Sequence, residues 1–430
     1  MKICSRKDLK VITGIMTASL LLGGCSHASS VPVRDDYQAK AAFDLNKVKE
    51  TGYDKDPMDE EYRRYCVELF SQTVKDMGGD GNVMISPASV MMALDMLAAG
   101  AKGESQDQLT NLFAKGQGPL TQQAYAASLM DKINSSKDVK FSCANAVWNN
   151  AIVLGDAANK DYVNYIKETF LAEYMITEFD GNTPDEINKW VDKNTDHMID
   201  RVIDSLAPNT AMVLVNAIAF DGKWEEKYDT DHVKDGEFTS ADGTNQDAVF
   251  LLDTTSAYYE TDKATGFIKP YKGGKYAFLA ILPSDDSISA NEFAAGFTAE
   301  DYEEFIDSVT YEYEVHSRLP QFESDFDCLM NDSLKNLGVT DVFDPSKADL
   351  SGIGGAPGLF FVSRVIHKTH IEVDSDGTRA AAATVVTVRY KGDIVPEGAF
   401  KIVDCDRPFV YAIVDTETMA PVFIGTVNAV

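Results

Sequence analysis

The chain has 430 residues, 44% of them hydrophobic and 25% charged, a composition that supports a globular core without disulfide or metal staples. Asp and Glu number 68 against 39 Lys and Arg, giving a formal charge of -29. Such a surface repels nucleic acid, heparin-like polyanions and anionic lipid headgroups, so these are excluded as partners and the charge is read as a solubility device.

The N-terminus reads as a processing segment. Lys2, Arg6, Lys7 and Lys10 form a basic region, and residues 11–22 are apolar but too short to span a bilayer comfortably. The stretch ends in LGGC at 22–25, which resembles a bacterial lipobox with Cys25 as the lipidated residue. Residues 1–24 are therefore expected to be removed as a lipoprotein signal peptide. Residues 25–58, polar and weakly patterned, are expected to form the lipidated N-terminus and tether. Export to a membrane-anchored or secreted, extracytoplasmic location follows.

Residues 59–430 carry no internal repeat and no low-complexity run, so they read as one domain. Tyr62, Cys66, Leu69, Thr73 and Met77 recur at helical spacing over 59–77, and the glycines after them stop the helix. A short strand at 83–85 runs into Ser86-Pro87, which opens a second helix through Leu97. Thr183-Pro184-Asp185-Glu186 predicts another helix start, with Thr183 as the cap and Glu186 reaching back. Strands are predicted at 212–220, 276–282, 311–318, 359–373, 409–414 and 422–427. Helices lead the first half and strands the second, which points to an α+β fold.

Catalytic signatures are missing: the sequence has no G-x-S-x-G elbow, no Walker loop and no HExxH. Gly352-Ile353-Gly354-Gly355 is read as a turn rather than a phosphate loop. His367 and His370 lie three apart on a predicted strand and so face opposite sides, which prevents joint chelation and suggests that one is a core histidine. Cys66, Cys143, Cys328 and Cys405 are far apart with no CxxC, so buried free thiols are expected in preference to zinc or a disulfide framework. No cofactor, metal or catalytic residue is expected, and an enzyme reading has no site to rest on.

Residues 371–391 (IEVDSDGTRAAAATVVTVRYK) combine conflicting local preferences. Ala380, Ala381, Ala382 and Ala383 favour helix, whereas residues 384–388 favour strand. As a strand, the segment would put Thr378, Ala380, Ala382, Thr384, Val386 and Val388 on one face. Arg379 and Arg389 would share the other. The compact, uncharged face could lie inward between two neighbouring strands. A permanent strand or a plain alanine-rich helix fits the segment taken alone equally well.

Several motifs then occur in order: NVMISPAS at 82–89, AAGAKGES at 98–105, INKWV at 187–191, LVNAI at 214–218, FDGKW at 220–224, LPQF at 319–322, ADLSGI at 348–353 and DRPF at 406–409. Over nearly all of 59–430 the chain resembles the serpin (serine protease inhibitor) family, in its bacterial lipoprotein form. The resemblance implies three β-sheets, a shell of helices and an exposed reactive-centre loop at about 375–400. It also implies a suicide-substrate inhibitor that traps an extracellular serine protease as a covalent acyl complex, acting as a monomer. In this reading Gly377, Thr378 and Arg379 begin the hinge, and the four alanines permit insertion of the loop. Ser86, Ser89, Asn216 and His367 match the polar shutter, and Trp224 matches the point where the loop enters. Ser375 departs from the usual acidic residue. The stretch from Lys391 to Pro408 is longer than typical, so the scissile bond stays open. The family register from Gly377 reaches Lys391-Gly392, which suits a trypsin-like enzyme, with Arg389 a second option. Counting back from Pro408 reaches Glu397, and a cut after Val385–Val388 or after Val395 would suit an elastase-like enzyme. A non-inhibitory surface binding protein of the same fold is the rival reading.

Overall fold

The structure is a computed structural model that describes residues 48, 51–77, 79–154, 158–207, 210–359, 361–378 and 400–430. In chain order the first elements are α1 (Lys55–Met77), β1 (Met84–Ile85), α2 (Pro87–Gly100), α3 (Gly103–Phe113) and α4 (Pro119–Asn134). There follow β2 (Lys140–Asn150), α5 (Ala151–Leu154), α6 (Lys160–Phe170), β3 (Glu173–Thr177), α7 (Thr183–Asn194) and β4 (Met212–Lys223). The middle of the chain supplies β5 (Val233–Thr239), β6 (Asn245–Thr255), β7 (Tyr258–Glu260), β8 (Ala264–Pro270) and β9 (Tyr276–Pro283). After α8 (Ala290–Gly296) and α9 (Ala299–Asp307) come β10 (Glu314–Pro320), β11 (Phe322–Leu329) and α10 (Asn331–Asn336). The last strands are β12 (Ile366–Val373), β13 (Gly377–Thr378), β14 (Phe400–Asp404), β15 (Phe409–Asp415) and β16 (Pro421–Val427).

These strands form three sheets. The main sheet has the order β11-β12-β13-β4-β2-β3, the second β1-β16-β15-β9-β8-β7 and the third β14-β10-β6-β5. The fold is therefore α+β, with three sheets inside a shell of helices. In β4, Leu214, Ile218 and Phe220 join the principal core, while Val213, Val215 and Ala217 pack with Trp148, Ile187, Val191, Ile199 and Ile203 on the opposite side. Helix α7 and the segment after it thus cover one face of the main sheet. This double burial explains why β4 is apolar nearly throughout.

Helix α2 runs through the centre, and every one of its residues is buried. Ser86 caps it by accepting from the Ser89 amide at 3.2 Å, and Pro87 occupies the first turn. At its far end the backbone meets the turn at Ile353: a Cβ added to Gly100 would lie 2.1 Å from Ile353 Cγ1. The Gly100 carbonyl accepts from the Gly352 amide at 2.9 Å, so the glycine-rich stretch at 352–355 is a packing turn. Midway along α2, Asp95 is wholly buried and accepts hydrogen bonds from Gln122 of α4 and Tyr165 of α6. Burial pushes its carboxyl up to about 7.

Some expected elements differ. Helix α1 begins at Lys55, inside the expected tether, because Pro57 fits a first turn and Met58 is buried against the core. Helix α7 is not capped by Thr183, which is its first residue; the cap is Asn182, with no side-chain cap bond, and the Thr183 amide is held by Asp180 Oδ1 at 3.2 Å. The strand expected at 359–373 starts only at Ile366. Its early apolar residues bond elsewhere, the Val362 amide to the Val342 carbonyl and the Val365 amide to Asn331 Oδ1. The strand expected at 311–318 is displaced to Glu314–Pro320, and Tyr311 is exposed. Cys66, Cys143, Cys328 and Cys405 are free thiols; Cys143 is partly exposed, the other three are buried. Burial pushes Cys143 and Cys328 up to about 12.

Candidate functional site

The site begins at a slot in the main sheet. Gly377 and Thr378 form β13, antiparallel to β12 on one side and to β4 on the other, with Thr378 facing both Val373 and Gly222. Further along, β4 meets the residue just before β12 directly: Leu214 forms an isolated parallel bridge to Val365, at the same offset as at the wedge. One end of the sheet therefore holds a two-residue wedge where the rest has none.

Residues around the wedge fix it tightly. A Cβ on Gly377 would lie 2.2 Å from the Gly222 carbonyl oxygen, so only glycine allows this backbone approach. Asp374 Oδ1 accepts from the amides of Asp376 at 2.8 Å and Gly377 at 3.0 Å, and the Asp374 amide donates back to the Gly377 carbonyl at 2.9 Å. The side chain of Thr378 is buried and its hydroxyl bonds the Tyr271 hydroxyl. Trp224 stacks on Tyr271 with ring centroids 4.7 Å apart, and its indole N–H donates to the Asp374 carbonyl at 2.9 Å. Its own amide donates to the Asp376 carbonyl at 3.1 Å. At Ser375 the backbone is held by the Tyr228 amide, again at 3.1 Å.

Beneath the directly paired part of the slot lies a buried polar chain. Asn216 of β4 receives a hydrogen bond from the Ser89 hydroxyl and donates one to Asn145 Oδ1 of β2. Ser86 donates its hydroxyl to the Val422 carbonyl at 2.7 Å, and its amide donates to His367 Nε2 at 3.0 Å. Burial lowers the His367 imidazole to about 4. The ring is thus neutral, with Nε2 the acceptor and Nδ1 carrying the proton. Thr369 of β12 donates its hydroxyl to the Met84 carbonyl at 3.0 Å. The N-terminus of α2 consequently grips both walls of the slot, β4 through Asn216 and β12 through His367.

The structure brings Ser86, Ser89, Asn216 and His367 into one network and puts Trp224 beside Gly377 and Thr378. His370 faces the other way, partly exposed, with Nδ1 3.0 Å from Asp325 Oδ1. Arg379, Ala380, Ala381, Ala382 and Ala383 lie outside the described residues, as do Val388, Arg389, Lys391, Gly392, Glu397 and Cys25. Sequence reasoning missed Asn145, Tyr271 and Asp374. The one available signal for Asn145 was an asparagine inside an otherwise small and apolar run.

A three-sheet α+β body whose main sheet admits the start of a further strand is the architecture of the serpins, and the chain belongs to that family: residues 60–430 match Serpin (serine protease inhibitor). An uncharacterized serpin-like protein of Methanosarcina mazei is 29% identical over 429 residues, covering 98% of this chain and 97% of its relative. Leukocyte elastase inhibitor A of Mus musculus is 30% identical over 381 residues, covering 84% of this chain and 97% of its own. Among solved structures, the thermophilic serpin tengpin in its native state matches with a TM-score of 0.81 at 34% identity, covering 88% of this chain and 96% of tengpin.

Proposed function

We propose that this protein is a suicide-substrate inhibitor of serine proteases, which traps the acyl-enzyme when its cleaved loop inserts between β4 and β12. The observation that carries this reading is the wedge of Gly377 and Thr378, already hydrogen-bonded to both strands. Continuing that register assigns each following residue a place. Ala380 would enter between Phe220 and Ile371, Ala382 between Ile218 and Thr369, Thr384 between Asn216 and His367, and Val386 between Leu214 and Val365. All of these β4 and β12 partners face the core or the polar chain beneath the sheet, and all of the entering side chains are compact and uncharged.

The chemistry is that of an interrupted hydrolysis. The protease serine attacks the scissile carbonyl and releases the new amino terminus, leaving the upstream loop esterified to the enzyme. Insertion then adds a strand to the sheet and carries the tethered enzyme with it. At roughly 1 kcal/mol net per backbone bond, about ten new bonds supply on the order of 10 kcal/mol, before burial of the alanine and valine side chains is added. The target is trypsin-like if the bond after Lys391 or Arg389 is cut, and elastase-like if it follows Val388 or a neighbouring valine. The similarity to a leukocyte elastase inhibitor supports the inhibitory class without choosing between them. Export, signal cleavage before Cys25 and anchoring through that residue complete the proposal, with the chain acting as a monomer.

The test is a panel of trypsin-like and elastase-like proteases, read on denaturing gels, with the mass of the released C-terminal peptide locating the bond. A complex that survives denaturation supports the reading. Quantitative cleavage with no complex and no gain in thermal stability refutes it and leaves a non-inhibitory member of the family.

A further inference from the structure

On the solvent side of the main sheet, β11 and β12 pair antiparallel with Glu323 opposite Glu372, Asp325 opposite His370 and Asp327 opposite Lys368. Strand alternation puts all six side chains on one face. Two of the three rungs are complementary: His370 Nδ1 lies 3.0 Å from Asp325 Oδ1, and Lys368 stands across from Asp327 while reaching Asp200 at 3.3 Å. The remaining rung sets two glutamates against each other, an arrangement that destabilises a sheet unless a cation lies nearby. Neither Glu323 nor Glu372 has an ion-pair partner among the described residues.

We propose that this face binds one divalent first-row transition-metal ion, with His370, Asp325 and Glu323 as ligands. Ligand atoms of the first three residues all lie within 4.8 Å of one another, so modest side-chain rotation brings them onto a common ion. An imidazole nitrogen beside carboxylate oxygens suits Zn²⁺ better than Ca²⁺ or Mg²⁺, which prefer all-oxygen sets. The histidine is the discriminating group, since it separates this cluster from a merely acidic surface. Both strands are rigidly paired along their length and His370 is only 16% exposed, so its ring is held near the carboxylates rather than free in solvent. The bound cation neutralises the repelling rung and ties β11 to β12. The site is independent of protease inhibition.

The full chain, stripped with a chelator and returned to physiological salt, is titrated with Zn²⁺ by calorimetry and with Co²⁺ by visible absorbance. One equivalent of Zn²⁺ is expected, with a Co²⁺ spectrum of nitrogen and oxygen coordination and a rise in Tm on loading. His370→Ala should weaken binding at least roughly tenfold, and Asp325→Asn should weaken it as well, both with unchanged far-ultraviolet circular dichroism. His316→Ala, on another sheet, should bind as the wild type does. The proposal is overturned by absence of Zn²⁺ binding, by undiminished binding in both His370→Ala and Asp325→Asn, by equal affinity for Ca²⁺, or by a thiolate-to-cobalt charge-transfer band that assigns the ion to cysteine.

Discussion

Replacing Thr378 with arginine tests the insertion mechanism at its entrance. Thr378 is 1% exposed, its hydroxyl is bonded to Tyr271, and its neighbours Gly222 and Val373 offer no carboxylate on that face. An arginine there must either bury an unpaired guanidinium, at about 3–5 kcal/mol, or stay out of the slot. If half of that cost is felt at the transition state for insertion, the barrier rises by about 2 kcal/mol and insertion slows about thirtyfold. Deacylation, which takes place on the protease, is unaffected. An inhibitor that normally loses one molecule per enzyme trapped would then lose tens. The assay titrates active protease with wild-type, Thr378→Arg and Thr378→Ser protein, and compares the ratio needed for full inhibition with the fraction of complex on denaturing gels. Thr378→Ser, which keeps the hydroxyl, should behave as wild type. Equal stoichiometry for the wild type and Thr378→Arg would refute the reasoning.

If the register of Thr378 continues after cleavage, Arg379 would come to lie beside Asp221 and Glu372, so Arg379→Glu should lower the thermal gain of the cleaved form by about 1 kcal/mol in low salt and less in high salt; a salt-independent loss would contradict the placement. His367 is held neutral, so the folded state binds fewer protons than the unfolded one between pH 6.5 and about 4. Its contribution is therefore present above pH 6.5 and lost as the pH falls through that window, by roughly 3 kcal/mol, and denaturant titrations of His367→Gln should lack this slope. Asp95 has the opposite sign: its folded carboxyl, raised to about 7, holds a proton that the unfolded chain releases near pH 4. Stability from this group falls as pH rises from about 4 to 7, and Asp95→Asn should gain about 2–4 kcal/mol at pH 8 while gaining little at pH 4. An Asp95→Asn protein no more stable than wild type at pH 8 would show that Gln122 and Tyr165 already satisfy the ionised carboxylate.

Much of this fold was legible where local chemistry and burial agree. Ser86-Pro87 announces α2 because a capping hydroxyl and a first-turn proline have few other uses, and strands β9, β15 and β16 are continuous apolar runs. The opposed roles of His367 and His370 follow from strand parity alone. Illegible parts have physical causes. Strand β2 carries Asn145, Asn149 and Asn150, a polar pattern that argues against a buried strand until the acceptors supplied by Phe170 and Thr210 are known. The apolar residues before Ile366 read as strand because burial alone does not distinguish a ladder from a packed loop. Asn216 and Trp224 were found by family resemblance, since nothing in their own spacing marks them. Asp95 was overlooked because a carboxylate in mid-helix is ordinarily solvated, and only the meeting of α2, α4 and α6 around it reveals otherwise.

The contact between Gly377 and Gly222 has a kinetic meaning. Starting a strand is the unfavourable step, because the first residues lose their freedom before many bonds repay the loss, and in this chain that step is complete in the uncut molecule. Gly377, paired with Lys223, lets its backbone close on the Gly222 carbonyl with no Cβ in the way, like the lowest teeth of a zipper already engaged. A protease that cuts the loop would therefore meet elongation and not nucleation, so the outcome of the encounter is set by how smoothly the alanines follow.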